Sequence, residues 1–267
     1  MSNKKVIWTY IILVLSLSFL VGGVVSYFYE KESTTWQFFP TLYTFFPALV
    51  ALLLMRNLKI PVTLKNLGLV FTGNRTNYLL AFFIPIILTG INIMVQIKVG
   101  NYILKPELNY TELGLVLIAN QFVLLIFILG EEIGWRSFLQ NRLVEEYGIW
   151  MAIAILGVVW GLWHAPIALK GYNLPEYPQF EAFVFYPFIC ICYASIMMLL
   201  FIKTKSVIPS LIFHTTNNNI GGIVLVMFNK QNPFSEMLVY FVIGSLMLLS
   251  TLLLIAREKR ITSRSLS

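Results

Sequence analysis

Long apolar runs broken by short polar stretches make up almost the whole chain. A helix needs roughly 20 apolar residues to cross hydrocarbon. Runs of that kind recur at 6–27, 36–55, 78–97, 113–136, 149–169, 180–202, 207–228 and 234–256. The pattern predicts an all-α, polytopic membrane protein with about eight transmembrane helices. The start of the chain, two lysines followed by an apolar run, has the look of a signal peptide. Its apolar stretch exceeds an h-region and lacks a small-x-small cleavage site, so an uncleaved first helix is expected. The longest internal loop, 56–77, contains Pro61, Gly68 and Gly73 and is mildly apolar, as if lying on the membrane surface. No repeat or low-complexity segment is visible. One integrated membrane domain is expected: N-terminal helices without signature over 1–110, a core bearing the polar motifs over 111–230, and a last helix with a basic tail over 231–267.

Composition agrees with this picture and narrows it. Hydrophobic residues make up 58% of the chain and charged ones 12%, about half the charge of a soluble domain. That excludes a soluble enzyme, a nucleic-acid binder and a disordered chain. The net charge of +7 is accounted for by loops. Lys4, Lys5, Arg56, Lys59, Lys65, Arg75, Arg142, Lys203, Lys205, Arg257, Lys259, Arg260 and Arg264 fall on one side of the expected membrane. Lys31, Lys98, Lys105, Lys170 and Lys230 fall on the other. The positive-inside rule then places both termini in the cytoplasm. Cys190 and Cys192, two apart in an apolar run, are expected to be apolar packing residues and not a disulfide.

Ionisable groups in hydrocarbon are costly, so they mark function by default. All twelve acidic residues are Glu, and there are two His. Glu131, Glu132 and Arg136 end the fourth run, His164 lies in the fifth, and His214 with Asn218 lies in the seventh. Glu132 and Arg136 are spaced i,i+4, share a helix face and can neutralise each other, leaving Glu131 on another face. His214 and Asn218 share a face in the same way, as do Trp160 and His164. A hairpin turning near Tyr147-Gly148 has Glu131 and His164 at equal distances from its tip, roughly 24 Å along each helix. The same alignment sets Gly134 opposite Gly161 and Gly130 opposite Ala165, where small residues let membrane helices approach closely.

A buried Glu without a cation suits a general base or acid. Imidazoles and an amide beside it can activate water, donate to an oxyanion or bind a metal. No Ser or Cys stands in a nucleophile motif, and Ser137 is expected to be structural. A His-Glu-x-x-His pair on one helix is also absent. Packing roles for a lone Glu-Arg pair or a lone His compete with these readings. They have to explain several costly groups separately.

Glu131-Glu132-x-x-x-Arg136, Trp160-x-x-x-His164 and His214-x-x-x-Asn218 resemble the three motifs, EExxxR, FxxxH and HxxxN/D, of the CAAX protease and bacteriocin-processing family, also called Abi. The flanks GEEIGWRSFLQNRL and WGLWHAP are similar to its bacterial branch. The resemblance covers 113–228. It implies an intramembrane endopeptidase of the bacterial cell membrane, open to the cytoplasmic side and acting on a membrane-associated peptide or protein. By that resemblance Glu131 and His164 activate the attacking water, His214 and Asn218 hold the oxyanion, and Glu132 and Arg136 orient the fourth helix. The family has been described both as metal-free and as zinc-dependent. The expectation here is no cofactor, with zinc on Glu131, His164 and His214 as the alternative. Trp160 replaces the usual Phe, and Ser137 follows Arg136 where Gly is common, which puts substrate access in question. A non-catalytic bacteriocin-immunity or scaffold protein is the competing function. The oligomeric state has no signature in the sequence.

Overall fold

A computed structural model describes residues 2–30, 32–171 and 173–264. Lys31, counted above in the charge asymmetry, lies outside the described residues, as do 265–267 of the basic tail. Helix α1 (Asn3–Phe28) is followed by α2 (Thr34–Tyr43), α3 (Phe46–Asn57), α4 (Thr76–Lys98), strand β1 (Tyr102–Leu104) and α5 (Tyr110–Glu132). A π-helical stretch, Ile133–Gln140, leads into α6 (Asn141–Trp163) and the short α7 (Ala165–Ala168). Then come α8 (Pro178–Phe180), a second π-helical stretch (Glu181–Phe185), α9 (Tyr186–Thr204), α10 (Ile208–Met227), β2 (Phe228–Lys230) and α11 (Pro233–Arg264). Ser2, Ser33 and Asn109 cap α1, α2 and α5 by accepting from the amides of Lys5, Trp36 and Glu112, which satisfies donors a helix start leaves open. The strands pair antiparallel, Tyr102 with Lys230 and Leu104 with Phe228, and join the end of α10 to the α4–α5 connection.

The fold is all-α and built for a membrane. Every expected span falls on helix, and among the described residues five helices are long and apolar enough to cross, or six if α2 and α3 form one bent span. The expected eight differ for physical reasons. Tyr110–Trp163 holds two of the expected spans, divided at Gly148. Within it Gly148 alone leaves helical geometry, at φ 77°, a conformation that favours glycine. Trp160 returns to meet Glu131, so the chain does turn back near the predicted tip. Helix α10 carries His214, Thr215, Thr216 and three Asn, too many polar groups for an apolar span. Between α2 and α3 the chain bends by 40°, with Pro47 starting the new helix.

The facing glycines predicted for the α5–α6 hairpin do not meet. Gly134 packs on Pro47 and the Tyr10 hydroxyl, Gly130 on Thr44 and Phe45, and Gly161 on the Pro187 backbone. Gly130 thus admits the α2–α3 turn, Gly134 admits α3 and α1, and Gly161 admits α9. Gly157 does the same one turn earlier, against the Ile191 backbone. Helix α6 thus lies close along α9. The core gathers where α1, α3, the first π stretch, α6 and α9 meet: Tyr10 lies between Trp135 and Phe138, and Tyr43 stacks on Trp163 at 4.3 Å.

The 56–77 loop fastens onto the α9–α10 junction. The Gly68 carbonyl accepts from the amide of Val207 at 2.9 Å, Thr72 Oγ1 donates to the Thr204 carbonyl, and Ser137 donates to the Leu67 carbonyl at 2.6 Å. Ser137 is structural, as predicted. Both cysteines are free and buried.

Replacing Gly161 by Leu forces side-chain volume into the Pro187 backbone and is expected to cost about 1–3 kcal/mol. Thermal unfolding of the detergent-solubilised protein should show a lowered midpoint. Gly114→Ala, at a position with nothing within 4 Å of an added methyl, should leave it unchanged or raise it.

Candidate active site

The end of α5 places Glu131 and Glu132 side by side, both buried. Glu132 is a bridge. Its Oε2 lies 3.3 Å from Arg136 Nε, and its Oε1 accepts from His214 Nδ1 at 3.0 Å. The i,i+4 pair read from the spacing is therefore present, with a third member from α10. The π-helical turns that follow Glu132 carry Arg136 back over the end of α5. There its guanidinium sits 4.4 Å from the centre of the Trp160 ring and donates from Nε to Met197 Sδ at 3.2 Å. Glu132, Arg136 and His214 are 0%, 0% and 4% exposed, so they are shielded from water and meet one another instead.

Glu131 faces elsewhere, as its spacing required. Its Oε2 accepts from the Trp160 indole at 2.9 Å. His164, four residues on from Trp160, ends α6 and is half-buried. Its Nδ1 lies 2.8 Å from the Trp160 carbonyl, and its ring stacks on Tyr186 with centroids 4.4 Å apart. A carbonyl only accepts, so Nδ1 carries the hydrogen and Nε2 keeps its lone pair. On α10, Asn218 Nδ2 lies 3.4 Å from His214 Nε2. Glu131, His164, His214 and Asn218 all line one cavity of about 440 Å³, a volume ordinary for a small-ligand or peptide-end site. Its remaining wall is mostly apolar.

Several contributors had escaped the sequence reading. Asn219, beside the motif Asn218, donates to Gln121 Oε1 at 2.8 Å and to the Leu117 carbonyl at 2.9 Å, and accepts from Asn120 at 2.9 Å. Gln121 donates to Thr216 at 3.1 Å. These amides zip α5 to α10 and set the level at which Glu132 meets His214. The signal was available: Asn120-Gln121 interrupts an apolar run where polar groups are expensive. Two further acids are also buried. Glu181 accepts from the amides of Asn173 at 3.0 Å and Leu174 at 2.8 Å. Glu236 accepts from Tyr102 at 2.5 Å and Lys230 at 2.8 Å. Both lie close to the ends of their runs, where a carboxyl looks solvated on the page.

Against the three motifs now placed in space, the comparisons with known proteins are specific. Residues 113–220 match the family model described as type II CAAX prenyl endopeptidase, Rce1-like. The matched stretch, about two fifths of the chain, is similar to Rce1-like CAAX endopeptidases. A curated relative from Methanococcus maripaludis, named CAAX prenyl protease 2, is 31% identical over 98 residues. The aligned stretch spans 36% of that relative and 35% of this chain. The Rce1-like match begins just inside α5 and ends within α10, so it takes in every motif residue described above.

The zinc alternative can be tested on the donor set. Among the described residues no three His, Cys or Glu side chains come together as a metal-holding group. His164 and His214 each commit Nδ1 to a protein acceptor and Glu131 commits one oxygen to Trp160, which leaves the other ring nitrogens and the second Glu131 oxygen outside those contacts.

Arg136→Met keeps most of the buried volume and removes the cation. It leaves Glu132 without its charge partner, a loss expected to cost about 3–5 kcal/mol. Adding Glu132→Gln should recover much of that stability, because the two residues act as a unit. A double-mutant cycle on thermal unfolding measures both quantities.

Proposed function

We propose that the protein is an intramembrane endopeptidase that hydrolyses a peptide bond of a membrane-associated peptide or protein. The observation that carries this reading is the convergence of Glu131, His164 and His214, from three different helices, on one cavity. The Rce1-like match over the same helices supports it.

In this reading Glu131 Oε1 and His164 Nε2 polarise a water molecule. Its oxygen attacks the scissile carbonyl carbon as Glu131 takes the proton. Negative charge gathers on the carbonyl oxygen, toward which Asn218 Nδ2 donates beside the His214 ring that Glu132 holds by Nδ1. Preorganised donors of that kind stabilise charge as it develops and require no reorganisation at the moment of reaction. Glu131 then returns the proton to the departing amine, the C–N bond breaks, and the products are a carboxylic acid and an amine. Glu132 and Arg136 take no proton. They hold His214 and the end of α5 in register.

The basic loops support an orientation with both termini in the cytoplasm and the site reached from that side. The reaction is proposed to be metal-free, with Glu131 as the base; among the described residues no group of three candidate ligands comes together. The apolar wall suits a lipidated or hydrophobic peptide. The relative's name extends this to prenylated CAAX sequences, and the bacterial-type flanks extend it to small precursor peptides.

Glu131→Gln is expected to lower kcat by about 10²–10⁴, and Asn218→Ala by about 10²–10³. Both variants should remain membrane-inserted with unchanged unfolding midpoints. A comparison of membrane peptides from cells with wild type and Glu131→Gln identifies the product, and cleavage should persist in phenanthroline. If activity survives Glu131→Gln combined with His214→Ala, the protein acts without catalysis, as an immunity or scaffold protein would.

A further inference from the structure

Trp160 stands where the parts of the site meet. Its indole Nε1 donates to Glu131 Oε2 at 2.9 Å, and its carbonyl accepts from His164 Nδ1 at 2.8 Å. The ring lies 4.4 Å from the Arg136 guanidinium and meets the His214 ring edge-on at 5.0 Å. At 2% exposure it is held by packing on all sides. The motif pattern that this chain resembles carries Phe at this position, and Phe has no donor. The hydrogen bond to Glu131 is therefore something the Trp adds.

We propose that Trp160 is a positioning residue for the hydrolysis, its indole clamping one oxygen of Glu131 so that the other is presented to the attacking water in fixed relation to His164. This rests on the reading of Glu131 and His164 as the water-activating pair. Three physical points support it. Arg136 is committed to Glu132, so no cation orients Glu131. A Glu side chain has three rotatable bonds and two equivalent oxygens, and a single charge-assisted hydrogen bond selects one orientation among many. An indole is a donor only, so it holds the carboxylate without competing for the proton that the base must carry.

The main chain of the same residue does the matching job for His164. By accepting from Nδ1 it fixes the tautomer and turns Nε2 toward the cavity. One residue on α6 thus registers the base from α5 with the imidazole one helical turn away. Neither contact requires movement of a helix. A misplacement of about 1 Å at such a centre can cost on the order of 10²-fold in rate.

Two variants test this on an internally quenched farnesylated CAAX peptide. Trp160→Phe restores the motif residue and removes the N–H. Benzothienylalanine at position 160 replaces the N–H by sulfur and keeps the bicyclic shape. Both are expected to lower kcat 10- to 100-fold with KM within twofold, and the benzothienyl protein should keep the wild-type unfolding midpoint. Turnover at the wild-type rate by the benzothienyl protein, or a rise in KM with kcat unchanged, overturns the inference. If Glu131→Gln also turns over at the wild-type rate, the reading of the site falls and takes the inference with it. If Glu131→Gln is inactive, the inference alone falls.

Discussion

Glu132 is a carboxylate with no exposed surface, held between a guanidinium on its own helix and an imidazole on another. Isolated in a membrane interior, such a charge would cost several kcal/mol. The cost is offset only when α5, its π-helical extension and α10 come together in one register. That requirement ties the ends of three motifs into one object. Arg136 is drawn back over Trp160, His214 is fixed by its Nδ1, and Glu131 is left without a cation. The asymmetry between two adjacent Glu, one neutralised and one not, is the chemical basis of the site.

Around this centre the packing is set by close backbone approaches and by amides. Gly157 and Gly161 bring α6 against the backbone of α9, while Gly134 admits Pro47 and Tyr10. Within hydrocarbon there is little hydrophobic drive between helices, so close contact and interhelical hydrogen bonds carry association. The Asn120–Asn219–Gln121–Thr216 ladder contributes such bonds. The loop fastened on the α9–α10 junction holds the entry to α10 from the other end. Helix α10, which bears His214 and Asn218, is therefore constrained on both sides of the site.

Much of this was legible in one dimension. Apolar runs located the helices, and i,i+4 spacing paired Glu132 with Arg136 and His214 with Asn218. The symmetry about Gly148 brought the fourth and fifth runs together. These features depend on helical period and rise, which are local. The span count was less legible. The polar groups of α10 and the bend between α2 and α3 keep those runs from passing as straight apolar spans. The partners of Gly134 and Gly161 were also hidden, because a π-helical turn rotates everything after Glu132 and no composition cue announced it. Glu181 and Glu236 were passed over for their places near run ends, where the meeting of distant segments buries them.

The sequence by itself determined that the chain is a helical membrane protein with three polar motifs, and which residues share a helix face. Periodicity and the cost of charge in hydrocarbon are enough for that. Only the tertiary structure decided that Glu132 bridges to His214, that the indole of Trp160 reaches Glu131, and that Asn219 joins α10 to α5. Those contacts span 29 to about 100 residues of chain. They depend on helix rotation and level, which are properties of packed neighbours and cannot be read from any one run.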